Sequence, residues 1–243
     1  MTDARLDYLD ALGVDVWLER GAPTVSAVEI PATVAAVATA APVARAPVPD
    51  ARPVDALDWG ELEARVAACQ QCELCQTRAQ TVFGVGDRQA RWMLIGEAPG
   101  AEEDRRGEPF VGRAGQLLDA MLKGAGFARQ QVFIANVLKC RPPQNRDPSG
   151  DESTACLPYL RRQIALVKPD LILAVGRIAA QRLLDTTEPL GKIRGRVHQL
   201  EGERKTPVVV TYHPAYLLRS PAQKRKAWED LVLAHRVARG EVH

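Results

Sequence analysis

Four short runs constrain the fold of this chain more than anything else in it. They are Trp92-Met93-Leu94-Ile95, the seven residues from Val132 to Leu138, Leu171-Ile172-Leu173-Ala174-Val175, and the stretch from Pro207 to Tyr212. Each is almost continuously apolar, and the last three carry several β-branched residues. None shows the polar alternation of a strand with one wet face, so each predicts a strand buried on both sides. Helical patterns fill 113–125, 151–167, 177–185 and 222–239, and a further one runs from Trp59 to Ala68. Strands alternating with helices predict an α/β protein whose parallel sheet is covered on both faces.

The loop behind the first strand is poor material for a core. From Gly96 to Gly115 it holds five glycines, two prolines, five acids and Phe110. A loop of this kind suits a backbone that must approach a ligand closely. Open α/β sheets gather their sites at the carboxyl ends of the strands. The segments expected to meet there are Gly96–Gly112, Asn136–Arg146, Gly176-Arg177 and His213–Arg219. Asn136 sits within an apolar strand, where its amide needs partners and suits a base edge, or else bonds local backbone. His213 ends a strand before a proline. Its imidazole suits a developing oxyanion or a structural hydrogen bond. Leu217-Leu218 beside Arg219 reads as an apolar tip that wedges into a base stack while the cation holds a phosphate. His198, His235 and His243 lack such context and read as surface residues.

Five cysteines are present, Cys69, Cys72, Cys75, Cys140 and Cys156. Two overlapping C-x-x-C spacings followed by two distant thiols point to a four-thiolate site for zinc or an iron–sulfur cluster. Spacing alone leaves open whether Cys69 or Cys75 is the spare. The site would staple the start of the body to the loop after the second strand, and Cys140→Ser is expected to lower stability and metal content together.

No apolar run reaches the ~20 residues of a membrane span. The acidic N-terminus, Met1 to Asp7, lacks the basic and apolar regions of a secretion signal, which places the chain in the cytoplasm. The net charge is +2 over 243 residues, but residues 1–60 hold 9 acids against 4 Lys/Arg, a balance of −5 that leaves +7 for the rest. A basic body fits a polyanion-binding domain or an ordinary solvated surface. Leu6, Leu9, Leu12 and Val16 predict a short amphipathic helix over 5–19, followed by an Ala/Val/Pro linker over 22–56. The head, 1–57, reads as largely disordered, and its helix as a peptide that docks on a protein partner or packs back on the body; the body spans 58–243.

Six motifs in order resemble the family 4 uracil-DNA glycosylases, the iron–sulfur branch of their superfamily. They are Cys69-x-x-Cys72, Val82-Phe83-Gly84, Gly96-Glu97-Ala98-Pro99-Gly100, Gly107–Gly112, Asn136–Arg146 and His213–Leu217, and the resemblance covers roughly residues 60–238. It implies a three-layer α/β/α sandwich around a four-stranded parallel sheet, acting as a monomer on uracil-containing DNA. It implies a [4Fe–4S] cluster on Cys69, Cys72, Cys140 and Cys156. It implies Phe110 stacked on a flipped uracil, Asn136 reading its polar edge, and His213 facing the oxygen that gains charge. Ala98, Gly100 and Asn145 would line the same pocket, with Leu217 and Arg219 on the DNA. Other branches carry Asp or Asn at the position of Ala98 to handle the water, which an alanine side chain is unable to do. Glu97 and Glu103 are the acids expected to serve instead. These loops hold no lysine nucleophile, which implies a monofunctional enzyme. The competing readings are a non-catalytic nucleic-acid-binding module with a structural metal, and an iron–sulfur electron carrier.

Overall fold

The computed structural model describes residues 52–242 except Glu203. The helix expected over 5–19 and most of the linker lie outside the described residues. The body begins before Asp58: Val54–Ala56 form a 3-10 turn, Leu57 is buried, and the Arg162 guanidinium donates to its carbonyl.

Four parallel strands form as the apolar runs require. These are β2 (Trp92–Gly96), β3 (Phe133–Asn136), β4 (Leu171–Val175) and β6 (Thr206–Thr211). Two short strands, β1 (Val85–Gly86) and β5 (Val197–Leu200), extend the sheet antiparallel at its two edges, in the order β1-β3-β2-β4-β6-β5. Register pairs Leu94 with Ile134 on one side and Leu173 on the other, and Leu173 with Val209.

Successive residues of each strand point to opposite faces. Trp92, Leu94, Ile134, Leu173 and Val209 pack against α3 (Arg113–Gly124) and α8 (Lys224–Ala238). Met93, Ile95, Phe133, Ile172, Ala174 and Val208 face α4 (Gly150–Val167), α5 (Arg177–Leu183) and Ile193 of the short α6 (Leu190–Ile193). This is the three-layer arrangement. A third apolar cluster joins Leu57 and α1 (Trp59–Ala67) to Phe83, Leu138 and Tyr159 around the buried cysteines. An Asp58–Glu61 capping box starts α1, and Ser149 with Glu152 starts α4, their side chains meeting the first unpaired amides of each helix.

Two segments expected as loops are partly helical. Ala101–Arg106 forms α2, and Pro214–Arg219 forms α7, capped by His213 itself. The histidines also differ from expectation. His235 lies against Trp92 and Phe127 and bonds the Ala125 carbonyl, and His198 bonds that of Ile193, so both are half-buried parts of the packing. Among the described residues no helix is long and apolar enough to cross a membrane.

Candidate active site

The chain leaves β2 toward β3 on one side, whereas β4 is followed by β6 on the other. The crevice at such a switch point opens beyond the ends of β2 and β4. Glu97 and Arg177 stand there, flanked by Asn136 at the end of β3 and His213 after β6. The strand expected over 132–138 ends at Asn136. Val137 and Leu138 run on beside β2, donating to the carbonyls of Gly96 and Glu97 at 2.9 and 3.0 Å.

Asn136 is 2 % exposed, and its Oδ1 is a buried acceptor without a hydrogen-bond partner. A buried polar atom left unpaired costs about 1–3 kcal/mol unless something arrives to bond it. The space before it is shaped by glycine: a Cβ on Gly96 would come within 2.6 Å of the Phe110 ring and would also strike Asn136 Oδ1. Phe110 is buried and stacks on His213, with ring centroids 5.6 Å apart at 30°. Its φ of +54° is a left-handed conformation that a bulky residue adopts only under constraint. The constraint is Gly115, which lets α3 press on the Phe110 carbonyl; a Cβ there would overlap that oxygen. Gly115→Ala is therefore expected to destabilise the protein by roughly 1–3 kcal/mol, read as a lower midpoint of thermal unfolding.

The tautomer of His213 follows from its cap. Its Nδ1 accepts from the Ala215 amide at 3.2 Å, so a neutral ring carries its proton on Nε2, the donor left for a ligand. Burial, with help from the Arg219 charge, pulls its pKa down to about 4, against a smaller opposing pull from Glu103. The imidazole is neutral at ordinary pH.

The two acids differ. Glu103 is committed to the backbone: its carboxylate accepts from Gly100 at 3.1 Å, Val111 at 2.9 Å and Gly112 at 3.1 Å. It holds the glycine-rich loop closed at both ends, and the Gly100 amide is used for this purpose rather than for a ligand. Glu97 is half-buried. Burial, and secondarily the Asp147 carboxylate, raise its pKa to about 7, opposed by Arg177. Arg177 is itself paired with Asp147 at 2.7 Å. Neither Asp147 nor Arg177 is marked by the sequence as a partner of Glu97, because they lie 50 and 80 positions further along the chain and only the fold joins them.

Of the other expected site residues, Ala98 packs on the apolar cluster around the cysteines. Asn145 is exposed and its Oδ1 accepts from Arg141 at 2.8 Å. The apolar tip needs correction. Leu217 is 1 % exposed, because α7 turns it inward with Pro214, whereas Leu218 is 36 % exposed beside the exposed Arg219.

Cys69, Cys72, Cys140 and Cys156 line one small cavity with Lys139 and Tyr159, and Cys75 is not among its lining residues. None of the five is disulfide-bonded. Arg78 donates to Cys140 Sγ at 3.0 Å and to the Cys69 carbonyl at 2.8 Å, and the Lys139 amide donates to Cys156 Sγ at 3.2 Å. Among the described residues, no three His, Cys, Asp or Glu side chains converge as ligands of a single ion.

The family model of the uracil DNA glycosylase superfamily matches residues 83–232. A type-4 uracil-DNA glycosylase of Pyrobaculum aerophilum is 43 % identical over 183 residues, covering 73 % of this chain and 93 % of that protein. The type-4 enzyme of Archaeoglobus fulgidus is 42 % identical over 170 residues, 68 % of this chain and 85 % of that one. That of Sulfurisphaera tokodaii is 43 % identical over 176 residues, 70 % and 80 %. The match runs through all four strand ends that build the crevice, and the chain belongs to the uracil DNA glycosylase superfamily.

Proposed function

We propose that the protein is a monofunctional DNA repair glycosylase that takes uracil out of the DNA stack and hydrolyses its N-glycosidic bond, leaving an abasic site. The observation that carries this reading is Asn136 Oδ1, an acceptor buried without a partner in front of an aromatic ring. Uracil offers an N3–H donor between two carbonyls, the complement of one amide side chain. Flipping a base costs a few kcal/mol, which stacking on Phe110 and an apolar filler help to offset. Leu218, exposed on α7 beside the exposed Arg219, would fill the gap while the guanidinium holds a phosphate. The names of the type-4 relatives support the same substrate.

Bond cleavage leaves positive charge on the sugar and negative charge on uracil. His213 donates its Nε2–H to the uracil oxygen that gains charge, as a neutral imidazole that needs no proton exchange with solvent. Glu97 acts as a carboxylate that stabilises the sugar cation and orients the attacking water; Glu103 positions the loop. Lys139 is 1 % exposed with its ammonium bonded on two sides, which supports hydrolysis by water over capture by an amine.

The four cysteines suit a [4Fe–4S] cluster. Four thiols lining one cavity, brought together from three segments, are the all-sulfur donor set that such a cluster takes. Arg78 and the Lys139 amide supply donors that offset thiolate charge. When bound, the group would cross-link the residue 69–72 segment to β3's exit and α4.

A labelled oligonucleotide with one uracil, incubated with the protein and then with hot alkali, tests the reaction. Scission at uracil that requires alkali, and none at thymine, is the expected result; intact strands from protein with its full cofactor content would defeat the reading. The Glu97 role predicts a pH profile. A carboxyl with a pKa of about 7 is protonated and inactive below that pH, so excision should rise through neutrality. Glu97→Gln should remove the rise and lower the plateau on the order of 10²-fold. The sign for stability is opposite. The folded pKa lies above the ordinary 4.5, so the unfolded chain gives up its proton first and the fold loses stability as pH climbs from about 4.5 to about 7. Glu97→Gln should raise the unfolding temperature at pH 8 and leave it unchanged at pH 4.

A further inference from the structure

We propose that Lys139 is a positioning residue, which fixes the base-reading Asn136 by tying the end of β3 to the segment that carries the cysteine centre. The inference deepens the uracil-excision reading and rests on it.

Asn136 is the last residue of its strand, and a buried carbonyl beyond a ladder's end needs a donor from elsewhere. The Lys139 side chain folds back three residues and donates to that carbonyl at 2.9 Å. Its ammonium also donates to Gln163 Oε1 at 2.6 Å, and Gln163, fully buried on α4, donates through Nε2 to the Phe83 carbonyl at 2.9 Å. The backbone of Lys139 is held as firmly. Its amide donates to Cys156 Sγ at 3.2 Å, its carbonyl accepts from Val82 at 2.8 Å, and Cys140 follows it directly.

One buried side chain thus meets the strand that reads the base and α4, and reaches the Phe83 carbonyl through Gln163, while its own peptide unit meets Val82 and Cys156 and leads directly into Cys140. An ammonium is costly to bury unless it is bonded, and an apolar side chain of equal length would leave two buried acceptors unpaired. The lysine is therefore matched to its acceptors and not to packing alone. With its carbonyl pinned, Asn136 holds Oδ1 at a fixed place relative to the Phe110 ring. Without the pin the strand end can shift, and the amide loses its register with uracil.

The test separates base reading from everything else. Inhibition by free uracil reports on the Asn136 pocket, and affinity for DNA carrying a tetrahydrofuran abasic analogue reports on the DNA surface with no base to read. In Lys139→Met, inhibition by uracil should weaken about tenfold, the scale of a hydrogen bond to a charged group. Binding to the abasic analogue and iron content should match wild type. Gln163→Met, which removes only the ammonium's second acceptor and the Phe83 bond, should shift uracil inhibition the same way by less, and decides the matter if Lys139→Met does not fold. Unchanged uracil inhibition in the folded variants would overturn the proposal, as would loss of iron in step with loss of uracil binding. A wild-type protein that neither excises uracil nor is inhibited by it would instead overturn the parent reading.

Discussion

His213→Ala is expected to release uracil about 10²–10³-fold more slowly than the wild type, the effect of removing one donor from a developing oxyanion. Binding to uracil-containing DNA should change far less, because the hydrogen bond strengthens only as charge builds on the base. Single-turnover excision, with enzyme in excess, isolates that step; a rate constant within a few-fold of wild type would remove His213 from the chemistry. The pH dependence adds an independent check. Burial and the neighbouring Arg219 hold the imidazole pKa near 4, so nothing in the rate between pH 5 and 8 should report a histidine titration, and the rise near pH 7 belongs to Glu97 alone. The same shift has a consequence for stability. The unfolded histidine takes up its proton near 6.5 and the folded one only near 4, so this residue's contribution is lost as pH falls between those values. His213→Ala should therefore flatten the acid side of the stability curve while it slows catalysis.

Cys140→Ser should have the largest effect on the fold. Cys140 is buried, accepts from Arg78, and sits on the same cavity as Cys69, Cys72 and Cys156. If these four hold the proposed cluster, losing one of them would forfeit most of the cofactor's contribution to folding free energy. A loss of several kcal/mol in a body of this size corresponds to a fall of roughly 10 °C in Tm. Iron content and Tm are expected to fall together; Cys75→Ser should change neither. Full iron content in Cys140→Ser would discard the ligand set.

The sequence made the centre of the molecule legible and its margins much less so. The four parallel strands are written in runs of Val, Ile and Leu that have no other stable placement than between two layers. The edge strands were missed because Val85-Gly86 is too short to show a period, and Val197–Leu200 mixes His and Gln with its apolar residues. The inward turn of Leu217 was hidden because a proline after histidine reads as a loop, whereas here Pro214 is the first residue of a capped helix. In the site, Asn136 and His213 were marked by residue type at a strand end, and Phe110 by its place in a glycine-rich loop unsuited to a core. The working partners of Glu97 and Glu103 were not, since these depend on which loops the crossovers bring together. Lys139 carried a signal that went unread: a lysine directly between Val137-Leu138 and a buried cysteine has nowhere exposed to go.

The two short antiparallel strands at the margins also bear on behaviour in concentrated solution. Every residue of β2 and β4 is buried, and segments such as Leu171–Val175 are the kind that stick to their own copies when their edges are open. Among the described residues no such segment forms a border of the sheet. One border is a two-residue strand ending in glycine, the other a strand with Gln199 exposed and followed by a loop that carries the ion-paired Glu201 and Lys205. Borders that are short or polar give a second molecule little ladder to extend. Edges of this kind disfavour fibrous self-association of the folded sheet, and aggregation on heating is expected to begin only when β1 or β5 has peeled away.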